Sequence, residues 1–230
     1  MKKIVISLSV IVMVFALHGF CFASNVIIAG GYDRLFTESP MGTELIVAGD
    51  SYAQNFYEDE NGKDMQLIPY FQEGFTIEEN QKKLQDAFYS IHKYILFSIS
   101  VNDHRKNTHP NYFEDEFRNM VDLATKTSKT VFVHSYMIYN QNFTNGLQFS
   151  SYDYDNMVRK IANDYSNIYY IDMMDCAGLE YIEADGVHYN KLFNDILYDR
   201  IKAKIEELKL IDEYMKAQEA AKTTGGFAGN

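Results

Sequence analysis

Residues 45–55 read LIVAGDSYAQN. Four apolar residues, Leu45 to Ala48, suit a short buried strand, and the run stops at Gly49-Asp50-Ser51. Small, turn-forming residues there let the backbone bend sharply and leave a hydroxyl at the strand's tip that other groups can approach. Gly, Asp and Ser are also the commonest turn residues, so the tripeptide alone is equally an ordinary strand-to-loop junction. The choice depends on what the rest of the chain brings beside Ser51.

Outward from this stretch, short apolar runs recur at Leu67–Tyr70, Tyr94–Ile99, Thr130–Val133 and Ile168–Ile171. A polar loop with an Asn61-Gly62 turn separates the first two strands. Helical patterns fall between the later ones. Thr76–Ser90 opens with a Thr76/Glu79 capping box and carries Ile77, Leu84, Ala87, Phe88 and Ile91 near a 3.6-residue period. Asn111–Thr125 and Ser151–Tyr165 are amphipathic, and Lys191–Met215 closes the domain with Leu192, Ile196, Leu197, Ile201, Ile205, Leu208 and Ile211. In the lead-in, residues 24–44, Val26–Ala29 is a candidate edge strand. Residues 216–230, rich in Ala, Thr and Gly, are expected to form a flexible tail. There is no internal repeat. Strands alternating with helices imply an α/β fold, a three-layer α/β/α sandwich around a mostly parallel sheet. In such a sheet the loops after the strands gather along one edge, where open α/β folds place ligand sites.

Three polar clusters fall on that edge. Gly49-Asp50-Ser51, Ser100-Val101-Asn102-Asp103 and Asp185-Gly186-Val187-His188 are each read as following a strand. Together they hold the parts of acyl transfer: a hydroxyl nucleophile, an imidazole to take its proton, a carboxylate to orient the imidazole, and donors for the developing oxyanion. Asp172 and Asp175 are alternative carboxylates, but the three-residue spacing of Asp185 from His188 suits a tight turn in which carboxylate and ring meet. His134 follows a strand, and His104 and His109 flank the Asn102 loop; His134 and His104 are candidates for substrate contact. A metal is not expected, because His104 and His109 stand five apart with no second ligand cluster.

In this order and spacing the motifs resemble those of the SGNH hydrolases, also called GDSL esterases and lipases, over roughly residues 45–210. The resemblance implies a flavodoxin-like sheet and cleavage of esters or thioesters without metal or organic cofactor. It also implies Ser51 as nucleophile, His188 as general base, Asp185 as its partner, and an oxyanion hole made by the Ser51 and Gly74 backbone N–H groups with the Asn102 side chain. Two places depart from the pattern. Ser100 stands where the family has a glycine two positions before the asparagine, and the segment around Gly74 matches only through that glycine.

The N-terminus has a separate logic. Lys2 and Lys3 precede the apolar run Ile4–Leu17, and Cys21 and Ala23 are small residues three and one positions before Ser24. This pattern predicts a secretory signal peptide, residues 1–23, cut after Ala23; an uncleaved anchor is the alternative. Cleavage would leave Cys176 as the remaining cysteine and, with two lysines lost, move the formal charge from −11 to −13. An acidic chain without a basic run excludes nucleic acid as an expected partner, and no stable membrane partner is expected after cleavage. The sequence therefore predicts an exported serine esterase acting on small acyl esters, acetyl above all, of carbohydrate or cell-envelope substrates. The alternatives are an O-acyltransferase using the same residues and an inactive secreted binding protein of the same fold.

Overall fold

The structure, a computed structural model, describes residues 43–138 and 140–225. The predicted signal peptide and the candidate strand at Val26–Ala29 lie outside the described residues. Five strands, β1 (Glu44–Gly49), β2 (Gln66–Phe71), β3 (Tyr94–Ser98), β4 (Thr130–His134) and β5 (Ile168–Ile171), form one sheet in the order β2-β1-β3-β4-β5. Every neighbouring pair is parallel.

The helices are α1 (Ser51–Glu60), α2 (Ile77–Tyr89), α3 (Val101–Arg105), α4 (Pro110–Lys126), α5 (Gln141–Thr144), α6 (Ser151–Asp164) and α7 (Lys191–Gly225). Helix α1 packs on α7, whereas α4 packs between α2 and α6, so the sheet lies between two helical layers. The predicted three-layer sandwich is the observed one. Strand burial follows position. All of β3, in the middle, is buried, and β2, at the edge, is partly open. Pro69, which has no N–H to give, sits on this edge strand, where only one side of the backbone needs a partner.

Two elements differ from the sequence reading. The stretch after Ser51, read as a polar loop, is helix α1. It buries only Tyr52, Ala53 and Phe56 as apolar contacts among polar neighbours, too few to stand out as a periodic signal. Helix α7 does not stop at Met215 but continues to Gly225, through the tail expected to be flexible. Its added turns, Lys216-Ala217-Gln218-Glu219-Ala220, are built of strong helix formers. The first half of α7 buries Phe193, Leu197, Tyr198, Ile201 and Ile205, whereas Leu210, Ile211, Tyr214 and Met215 are exposed.

Strand order reverses between β1 and β3: the chain leaves β1 toward β2 on one side and returns to β3 on the other. A crevice opens at the carboxyl ends of strands at such a reversal. Ser51 follows one flanking strand and Asn102 the other.

Candidate active site

Gly49 is the residue that makes the junction possible. It has φ +143°, and a Cβ there would lie 1.8 Å from the Ser98 carbonyl oxygen on the adjacent strand. With glycine in place, β1 and β3 stay paired to their ends. The chain then turns so that Ser51 begins α1. The first residues of a helix have N–H groups without intrahelical acceptors. The Ser51 N–H is one of these, while the next N–H, of Tyr52, is capped by Asp50 Oδ1 at 3.0 Å.

Ser51 Oγ lies 3.0 Å from His188 Nε2, and His188 Nδ1 lies 2.5 Å from Asp185 Oδ2. These groups come from opposite ends of the described chain and meet along the predicted edge. The Asp-x-x-His spacing is explained by the turn itself. Asp185 Oδ1 accepts the N–H groups of Val187 (2.8 Å) and His188 (3.0 Å), leaving Oδ2 for the ring. Gly186, with φ +71°, closes the turn, and a Cβ there would press on Asn140 at 2.9 Å. Asn140 grips the same turn: its N–H donates to the Gly186 carbonyl at 2.9 Å and its side-chain amide to the Asp185 carbonyl. Partial burial raises the Asp185 carboxyl, but the hydrogen bonds from Val187 and His188 outweigh it and hold the group below the usual carboxylate range.

Asn102 is 7 % exposed, and its Nδ2 is buried without a hydrogen-bond partner. A buried amide donor left unpaired costs about 1–3 kcal/mol, so an acceptor that reached it would be bound with preference. Asn102 sits in the first turn of α3, entered through Ser100 at φ +148°, a backbone region that a side chain disfavours. Where the resemblance led one to expect glycine, the serine adopts the conformation a glycine would take. Asp50 holds it there, with Oδ2 accepting the N–H groups of Ser100 (3.1 Å) and Val101 (3.2 Å). The second residue of the Gly-Asp-Ser motif thus joins the Ser51 turn to the Asn102 loop. Asp50 is fully buried, which pushes its carboxyl up to about 6 despite the three N–H bonds. Behind it, burial and then the Asp50 charge push Asp103 up to about 7, with Asp103 Oδ2 accepting the Ile77 N–H at 3.0 Å.

Gly74 lies in the exposed loop after β2, on the same edge, at φ +78°. Its N–H has no partner among the described residues.

The two histidines expected at the substrate are placed elsewhere. His134 is buried, with Nε2 2.7 Å from Ser98 Oγ and Nδ1 2.8 Å from the Ser135 carbonyl oxygen, and burial depresses it to about 4. His104 is fully buried, its ring nitrogens meeting the Tyr136 hydroxyl (3.0 Å) and the Phe149 carbonyl (2.8 Å) among Tyr136, Phe143 and Tyr154. Both rings are satisfied core groups. A position just after a strand places a residue near the edge, but the direction of its side chain decides whether it meets solvent. Asp172 and Asp175 are also engaged away from His188, with Arg159 and Arg200. Among the described residues, no three His, Cys, Asp or Glu side chains are grouped as a metal ion would require.

A parallel α/β/α sandwich with a serine, an imidazole and a carboxylate in hydrogen-bonded sequence at the reversal of strand order defines a class of arrangement. Comparison with solved structures narrows the fold. The lipase/acylhydrolase from Enterococcus faecalis aligns with TM-score 0.58 at 14% identity, covering 71% of this chain and 95% of that one. A member of the lipolytic G-D-S-L family from Veillonella parvula gives 0.53 at 18% identity, over 68% and 94%. An acetylxylan esterase from Geobacillus stearothermophilus gives 0.55 at 14% identity, over 71% and 94%. No family model and no curated relative matches the sequence. The chain has the fold of the SGNH, or GDSL, acylhydrolases.

Proposed function

We propose that this chain is a serine ester hydrolase in which Ser51 forms an acyl-enzyme. The observation that carries the reading is the line from Ser51 Oγ through His188 to Asp185, with the unpaired Asn102 amide on the loop after the adjacent strand. In the first step Ser51 Oγ attacks the acyl carbonyl while its proton passes to His188 Nε2. Asp185 accepts from Nδ1–H, which fixes the tautomer and stabilises the imidazolium. The tetrahedral oxyanion is received by the Ser51 N–H, the Asn102 Nδ2–H and the Gly74 N–H. The C–O bond to the alcohol then breaks, and the alcohol leaves with the proton from His188. Water, deprotonated by the same imidazole, attacks the acyl-serine and releases the acid.

Small acyl esters, above all acetyl groups on carbohydrate or cell-envelope glycan, are the proposed substrates. Acetylxylan esterases among the proteins of similar fold support that choice, as does the predicted signal peptide, which would place the enzyme outside the cytoplasm.

The test is reaction with a fluorophosphonate followed by intact-mass measurement. The expected result is one phosphonyl adduct on the wild type and none on Ser51→Ala. An unlabelled wild type, or a labelled alanine variant, overturns the assignment. Released acid from acetylated xylan oligomers, compared with longer-chain aryl esters, then tests the acyl preference.

A further inference from the structure

The residue after Ser51 is Tyr52. Tyr52 is buried in the first turn of α1, and its hydroxyl donates to the Val187 carbonyl oxygen at 3.0 Å, spanning 135 positions of sequence. Its ring stands edge-on to the His188 imidazole, centroids 5.9 Å apart at 87°. The Val187 carbonyl and the His188 N–H belong to one peptide plane. That plane is held at one side by Tyr52 and at the other by Asp185 Oδ1, which accepts the His188 N–H. Fixing both sides sets the direction in which the His188 side chain leaves the backbone.

From this geometry, and resting on the serine-hydrolase reading above, we propose that Tyr52 is a positioning residue for the base. Its phenolic hydroxyl ties the nucleophile helix to the histidine loop and keeps Nε2 within reach of Ser51 Oγ. A leucine at this place would fill the core but could not hold the Val187 carbonyl. A second hydroxyl acts on the other neighbour of His188: the Tyr189 hydroxyl accepts the Met137 N–H at 2.9 Å and so anchors the loop to the end of β4. Tyr52 differs in making its link from the nucleophile's own helix, so motion of one reacting group carries the other with it.

The test is Tyr52→Phe, which removes one oxygen, with Tyr52→Leu as the second variant. Using an aryl acetate, kcat is expected to fall about tenfold in Tyr52→Phe with KM unchanged within about twofold, as loss of one buried hydrogen bond felt in the transition state implies. The downfield proton resonance of the His188–Asp185 hydrogen bond is expected to shift or broaden, a change that looser core packing far from the ring would not produce. Either folded variant retaining wild-type kcat and an unshifted resonance overturns the proposal. Should the wild type fail to react with a fluorophosphonate, the hydrolase reading falls, and the proton resonance alone still decides whether Tyr52 orients His188.

Discussion

Two carboxylates belong to the Ser51 site, Asp185 through His188 and Asp50 as its chain neighbour, and they have opposite properties. Asp185 stands at the open rim with a side chain 47 % exposed, and its hydrogen-bond donors keep it charged. Asp50 is completely buried, accepts three backbone N–H groups, and is pushed up to about 6. The first faces an imidazole whose cation it can stabilise. The second spends its hydrogen bonds on peptide N–H groups, which it holds in place. Chemistry near neutral pH asks for a ready charge at the rim, whereas shape asks for acceptors in the interior, and solvent exposure separates the two roles more sharply than residue type does.

Removing the group that Asp185 serves is the strongest way to break this contrast. His188→Ala is expected to lower kcat on an aryl acetate by roughly 10³ or more, with folding intact by circular dichroism. A loss below about tenfold would place the base elsewhere. Next comes Asp185→Asn, which keeps the turn's acceptor for Val187 and His188 but misorients the ring. Its steady-state rate is expected to fall by less than that of His188→Ala, because the base is misoriented and not removed.

The buried side of the contrast is read in stability against pH. Asp50 and Asp103, at about 6 and about 7 in the folded state, lie above the ordinary carboxyl value of 3.8. Between about pH 4 and 7 the folded state therefore binds more protons than the unfolded, so these groups lower stability as pH rises. His134, at about 4, works with the opposite sign, losing stability as pH falls below its ordinary value of 6.5. Comparing Asp103→Asn with the wild type isolates one carboxyl. The variant is expected to gain on the order of 2 kcal/mol relative to wild type between pH 5 and pH 8, measured by urea denaturation at each pH. A difference independent of pH would show that Asp103 is charged throughout. The smallest effect concerns the strained residue that Asp50 secures. Ser100→Gly is expected to stabilise the fold by about 1 kcal/mol at pH 7, since glycine accepts φ +148° without a Cβ penalty. A lower thermal midpoint in that variant would mean the serine side chain contributes more than its backbone costs.

Much of this was legible in the residues. Alternating apolar runs and amphipathic helices carry the layer architecture, because a buried parallel strand must be apolar throughout and a covering helix along one face. The Thr76/Glu79 capping box is formed where it was expected, with the Thr76 N–H donating to Glu79 Oε2 at 2.8 Å. That Ser51, His188 and Asp185 come together was legible because each stands in a short motif at a strand end or turn. The same positions make His104 and His134 candidates for substrate contact, yet both rings are buried: proximity to the edge is a property of sequence position, but burial depends on what packs against the ring. Helix α1 was hidden because its polar residues outnumber the three apolar ones it buries.

The order of strands and helices, the place of Ser51 at the end of β1 and the Asp185–His188 turn were determined by the sequence, since each depends on local periodicity or local spacing. Only the tertiary structure decided that Asp50 fastens the Ser100–Val101 backbone, that the Asn102 amide is left unpaired, and that the Tyr52 hydroxyl holds the Val187 carbonyl. Those contacts join segments 50 to 135 positions apart. They are set by how β1, β3 and the final turn pack, a relation that no local pattern of residues contains.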